Sequence, residues 1–455
     1  MASLDPIPIL TVLEQAHVSP PSATVANTTL PLTFFDIIHL VRPPLHYLFF
    51  YELPLTKTQF VETIVPNLKH SLSICLQYFF PFAGNLFVFP TTDRLPEIRY
   101  VENDVVSFTS AECNLDFNDL TGYHPRNCDK FHHLVPLLGD YGTLSSHIKI
   151  PLFSVQVTLF ANCGFSIGIS VHHSLGDAGA IFSFLKAWTS ITRFGNDEAF
   201  LANGTLPIYE RTFKYPNLEQ SFLKMAKVET LFDKEYHPPK LPDSTNKVRA
   251  TFVLTRTLID SLKKLVMTQL PTVPYLSSFT VACAYIWCCL AKLRDDELQV
   301  FLIPMDCRTR MNPPIPSAYF GNCIWGSLSV AKTSLLTGKD GLTNAAKLMG
   351  ENLHKTLNDE DGVVNDKVLK GDILPQGVPM TYMSISGTPK LKLYDVDFGW
   401  GKPKKFEKVS LDYSASISID AGKECDQDME IGVCLTNEQM EVFVRNFHLG
   451  QEPYI

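Results

Sequence analysis

Residues 154–191 read SVQVTLFANCGFSIGISVHHSLGDAGAIFSFLKAWTSI, and the reading of this stretch decides the fold. Two apolar, β-rich runs joined by Ala161, Asn162 and Cys163 predict a hairpin whose second strand delivers His173 at its carboxyl end. Beyond Asp177, residues Ile181, Phe184, Leu185 and Trp188 recur at three- and four-residue intervals, the pattern of a helix with one packed face ending near Phe194 and Gly195. His172 to Asp177 therefore form a short strand-to-helix connection. An imidazole takes and returns a proton near neutrality, so His173 is a candidate general base toward a hydroxyl or amine. Asp177 is placed to orient that ring or to brace the loop. The plainer alternative is polar punctuation, with Asp177 as a helix N-cap and His173 satisfied by backbone.

A chain of 455 residues exceeds the size at which one core stops growing, so two domains of roughly 200 residues are the default. Apolar residues make up 45% and charged residues 19%, which excludes a disordered chain. A net charge of −8 argues against a nucleic-acid partner but leaves room for a local basic channel. No basic leader precedes an apolar run, and no run approaches membrane-spanning length, so a cytoplasmic protein without membrane association is expected. The eleven cysteines are scattered and read as free buried thiols. Neither C-x-x-C nor H-E-x-x-H occurs, and no metal site is expected.

Along the first part, HYLFFYEL from His46 reads as a strand and Thr58 through Leu76 as a helix. A stretch rich in proline and charge from Leu206 to Asn246 is the candidate linker. After it come a strand (KVRATFVLT), a helix (RTLIDSLKKLVMTQL), a buried helix capped by Ser277 or Ser278, and a strand (VFLIPMDCRTR) ending in polar residues. The expected division is 1–205, a 206–246 crossover, and 247–455. Both halves read as mixed α/β, without an internal repeat, coiled coil or solenoid that would suggest a structural protein.

Strand, HHSLGD and helix resemble the first signature of the plant acyl-CoA-dependent acyltransferases called the BAHD family. Asp397-Phe398-Gly399-Trp400-Gly401, followed by Lys402 and Pro403, resembles the second, DFGWG-K-P. Tyr319-Phe320-Gly321-Asn322-Cys323, the opening TVLEQAHVSPP, LPLTFFD from Leu30 to Asp36 and the YFFPFAGNL run from Tyr78 resemble the branch that acylates anthocyanin and other flavonoid glucosides. The resemblance covers essentially the whole chain. It implies two similar chloramphenicol-acetyltransferase-like mixed-sheet domains with the active site in a channel between them, and one catalytic histidine, His173. Asp177 is then expected to turn away from His173 and pair with Arg308 of the family-like Asp306-Cys307-Arg308. Ser174 is not expected to be a nucleophile, because direct transfer from a thioester needs no acyl-enzyme.

Asp397, Gly399, Trp400 and Gly401 read as a tight structural turn, and the resemblance implies that it supports the second domain from outside the reaction centre. Asn322, Thr381 and Ser384 are candidates for stabilising oxyanion charge or lining the channel. Lys247, Arg249, Ser386, Gly387, Thr388 and Lys390 are candidates for holding the CoA donor. Its phosphates call for cations at a tunnel mouth, whereas no Walker-type loop implies nucleotide hydrolysis.

The implied co-substrate is an acyl-CoA, malonyl-CoA or hydroxycinnamoyl-CoA, with no permanently bound cofactor. The implied acceptor is a flavonoid or anthocyanin glucoside of plant specialised metabolism, and a monomer is expected. A malonyl carboxylate favours a cation in the acyl pocket. Family members that use malonyl-CoA commonly carry an arginine four residues after the motif aspartate, where this chain has Ile181. That residue suits an aromatic hydroxycinnamoyl (coumaroyl or caffeoyl) donor, while the branch resemblance leans to malonyl transfer. A noncatalytic metabolite-binding protein of the same architecture is the alternative from a different class.

Overall fold

The computed structural model describes residues 9–90, 94–139, 141–144, 147–211, 215–226, 245–360, 362–364 and 379–450. The LFDKEYHPPKLPDS part of the candidate linker lies outside them. The hairpin forms as its sequence dictates: Phe153–Phe160 and Gly164–Val171 pair antiparallel, with Asn162 in the left-handed region (φ 60°) at the turn. Every residue of both strands is buried, because the hairpin lies inside a larger sheet.

That first sheet has six strands, in the order Leu10–Val18, Val106–Cys113, Phe153–Phe160, Gly164–Val171, Leu45–Tyr51 and Lys405–Lys408. Helix Ala178–Phe194 buries Ile181, Phe184, Leu185 and Trp188, and ends where Gly195 adopts φ 73°. It packs against helix Val65–Tyr78, whose side chain Ser71 accepts a hydrogen bond from the Trp188 indole at 3.1 Å. A second sheet runs Ile324–Lys332, Leu298–Asp306, Met380–Ser386, Ser416–Ala421, Met429–Thr436, Lys247–Leu254 and Arg126–Asn127. Arg256–Gln269 and the almost wholly buried Ser278–Ala291 form as expected, the latter capped by Ser277. A smaller five-stranded sheet completes the N-terminal half. Mixed pairing in both large sheets gives the expected α/β architecture of two mixed-sheet halves.

The halves exchange strands. Lys405–Lys408, from the C-terminal half, pairs with Leu45–Tyr51 in the first sheet, Lys405 opposite Phe50. Arg126 and Asn127, from the N-terminal half, pair with Arg249 and Val248 in the second. The DFGWG turn sits just before the first lent strand, and here an expectation is corrected. It does not support the second sheet's half but packs on the first: Trp400 meets Tyr51 and Phe165 edge-on, and Phe398 meets Trp188 at 5.0 Å. The turn itself is closed by the Asp397 carboxylate, which accepts from the Gly399 and Gly401 amides at 2.7 and 2.9 Å. Both glycines have φ near +100°, which a side chain would strain.

Candidate active site

His173 opens a short helical turn, His173–Leu175, between the hairpin and the long helix. Its backbone is pinned from both halves. The Asn322 side-chain amide donates to the His173 carbonyl at 2.9 Å, and the Ser174 hydroxyl donates to the Asp36 carbonyl at 3.0 Å. Ser174 is fully buried with its hydroxyl so engaged, in keeping with its exclusion as a nucleophile. The His173 ring is half-buried. Its Nδ1 is buried and has no hydrogen-bond partner among the described residues. Burial pushes the His173 pKa down to about 4. Its own carbonyl opposes that shift, Arg42 adds to it, and Asp177 and Asn322 oppose it more weakly. At neutral pH the ring is therefore an unprotonated base.

Asp177 does two jobs, which merges the two readings of it. Its carboxylate caps the long helix through the Ala180 amide at 3.0 Å. It also takes a two-pronged contact from Arg308, at 2.8 and 3.2 Å, and accepts from the Cys323 amide at 3.0 Å. Arg308 in turn donates to the carbonyls of Tyr319 and Gly321 at 3.2 and 3.1 Å. The pair joins the two halves beneath the His173 loop, and both members are almost wholly buried.

Of the three candidates for oxyanion charge or channel lining, Asn322 and Thr381 are corrected. Asn322 is fully buried, and its side-chain amide is occupied by Asp36 at 3.0 Å and the His173 carbonyl; it holds the loop rather than facing a substrate. The Thr381 hydroxyl is bonded to Asp296, and the residue lies opposite Gln299 near the far end of its strand. Seven residues of the neighbouring strand then separate that level from Asp306, about 23 Å at strand rise. Ser384 is bonded to Ser416 at 2.8 Å.

The donor-binding candidates divide. Alternation along a strand puts Lys247 and Arg249 on one face, and the segment around Phe131 covers it. Arg249 is 2% exposed, lies 4.7 Å from the Phe131 ring centre, and is engaged by Glu407, Asp412 and the Lys408 carbonyl. It is not a cation at a mouth, and Lys247 turns to the Asp412 carbonyl at 2.9 Å. Thr388 and Lys390 stay near the surface, Lys390 exposed. The Ser386 carbonyl accepts from buried Lys408 at 3.0 Å. Gly387 presses on the same lysine, where a Cβ would come within 2.0 Å of Nζ. Gly387, Lys408, Tyr47 and Ile181 line one small cavity with Ala178, Phe182, Leu185, Leu391 and Leu393. Ile181 and Gly387 thus share one cavity, in surroundings that are apolar apart from Tyr47 and Lys408.

Sequence reasoning missed Asp36 and His39. Asp36 is fully buried; one oxygen accepts from the Asn322 backbone and side chain, and the other from Thr33 and from Arg211 at 3.3 Å. His39 lies face to face with His173. The signal available was LPLTFFD itself, a capped short helix whose aspartate is wholly buried.

Four imidazoles, half-buried His173 and three buried ones, are held below their ordinary value of 6.5, chiefly by desolvation: His39 well below, His46 at about 3, and His172 and His173 at about 4. Below pH 6.5 the unfolded chain therefore binds more protons than the folded one, and stability falls as pH falls toward 4. Each of these imidazoles adds to that loss as the pH falls. The melting temperature is accordingly expected to drop by several degrees between pH 7 and pH 5. Calorimetry across that range checks it, and a flat profile contradicts the burial.

Comparison with known proteins agrees with this geometry. Residues 9–449 match the Transferase family. An anthocyanin 3-O-glucoside-6''-O-malonyltransferase from Dahlia pinnata is 48% identical, covering 99% of this chain and all of the relative. An anthocyanidin 3-O-glucoside-6''-O-coumaroyltransferase from Arabidopsis thaliana is 36% identical over 95% of each chain. Among solved structures, vinorine synthase shares the fold, with a TM-score of 0.67 at 20% identity, covering 95% of this chain and 96% of that one. These matches replace the noncatalytic alternative. With motif, fold and full-length relatives in agreement, the chain belongs to the Transferase family of acyl-CoA-dependent acyltransferases, the BAHD enzymes.

Proposed function

We propose that this enzyme transfers malonyl from malonyl-CoA to a sugar hydroxyl of an anthocyanin or flavonoid glucoside. Likeness to the Dahlia malonyltransferase across the whole chain carries this reading. His173 Nε2 takes the hydroxyl proton as that oxygen attacks the thioester carbonyl. The tetrahedral intermediate then collapses, expelling CoA thiolate, which recovers the proton from the imidazolium. Holding donor and acceptor together in a channel between the halves supplies part of the acceleration. The reading includes a cytoplasmic monomer with the crossover near 206–246; no described helix is long and apolar enough to cross a membrane.

Ile181 favours a second donor class. The side chains that line its cavity are largely apolar, a chemistry that suits a hydroxycinnamoyl group, the kind of acyl group the coumaroyltransferase relative is named for. Lys408 is the charged residue on that cavity and the candidate partner for a malonyl carboxylate, although Asp420 already holds it at 2.6 Å. Competition between malonyl-CoA and coumaroyl-CoA, with cyanidin and flavonol glucosides as acceptors and products scored by mass, is expected to give predominantly the malonylated glucoside. Exclusive coumaroyl transfer would overturn the donor assignment. Activity confined to nonglycosylated alcohols would overturn the acceptor.

A further inference from the structure

We propose that His39 is a positioning residue for His173, holding the base in plane and stabilising its protonated form by stacking. The inference rests on the reading of His173 as the base. The two imidazoles lie 3.6 Å apart between ring centres, with their planes 1° from parallel. A face-to-face sandwich this close is a poor arrangement for two neutral rings, which prefer to be offset or edge-on. It becomes favourable when one ring turns cationic over the electron-rich face of the other. That is the change His173 undergoes when it receives the acceptor proton.

The backbone imposes the sandwich. The Asp36 carbonyl accepts from the His39 amide at 3.1 Å and from the Ser174 hydroxyl at 3.0 Å, fixing both segments to one atom. His39 is 9% exposed, and its buried Nδ1 finds no partner among the described residues, so no hydrogen bond explains an imidazole here. His172, Arg42, Asp177 and Asn322 also act on this pair. The Asp177 carboxylate is held by Arg308, the Asn322 side-chain amide donates to Asp36 and to the His173 carbonyl, and His172 is buried, its Nδ1 accepting from the Ser174 amide. His39 itself exchanges no proton in the reaction; it offers its face.

The test is a series at position 39, with kcat and both KM values measured for malonyl-CoA and a cyanidin glucoside. H39A is expected to lower kcat by about tenfold to a hundredfold, the scale of a misplaced catalytic group, with donor KM nearly unchanged. H39F keeps an aromatic face and should stay within about threefold of the wild type. H39L keeps bulk without a face and should resemble H39A. Leucine performing as well as phenylalanine, phenylalanine failing like alanine, or a loss confined to KM would each overturn the inference. If H39A does not fold, the leucine and phenylalanine pair still decides. H173A is assayed alongside: full activity there would sink the base assignment, whereas an inactive H173A with an indifferent position 39 would sink the stacking role alone.

Discussion

Replacing His173 by alanine is expected to lower turnover by roughly two to four orders of magnitude, the range for a positioned acid-base group. The loop offers no substitute. Ser174 is buried with its hydroxyl spent on Asp36, His172 is enclosed, and Asp177 is saturated by Arg308, Cys323 and the helix it caps. The backbone contacts that hold the loop involve the His173 carbonyl and not its ring, so H173A should fold and bind the donor normally. Acceptor-dependent CoA release, set beside a melting curve and a donor titration, separates lost chemistry from lost structure. A folded H173A enzyme with ordinary turnover would end the assignment.

The second large effect is expected at Arg308. Changing it to methionine leaves the Asp177 carboxylate buried without its cation, a loss of roughly 3–5 kcal/mol for a broken internal pair. It also frees the Tyr319–Gly321 loop, whose carbonyls Arg308 holds, so activity should fall with stability. Adding D177N removes the stranded charge and should recover part of the denaturation midpoint, though not the lost loop contacts. A single R308M variant as stable as the wild type would show that the pair does not brace the halves.

The local fold was legible because its signals are local. Alternating and continuous apolar runs located the hairpin, the 3.6-residue period located the helix from Ala178, and Gly195 marked its end. His173, and the pairing of Asp177 with Arg308, followed from motif resemblance, and the geometry is consistent with both. Contacts between residues far apart in the chain left no such trace. Arg249 looked like a free cation because strand periodicity names a face without saying what covers it; Phe131 and two carboxylates do. Asn322, read in a loop, looked like a free donor because nothing local in the sequence showed that Asp36 and the His173 carbonyl would take its amide. The stack of His39 on His173 joins residues 134 positions apart, beyond any sequence period.

The exchanged strands bar one class of motion. Swinging the halves apart like a clamshell would break main-chain ladders at Lys405 with Phe50 and at Arg126 with Arg249 together. Sliding them would have to proceed in two-residue jumps of about 7 Å to keep the same side chains facing inward. Under the proposed function, acceptor and donor would reach His173, and product would leave, without the halves swinging apart. On this view the choice of acyl chain rests with the side chains around Ile181 and not with domain opening.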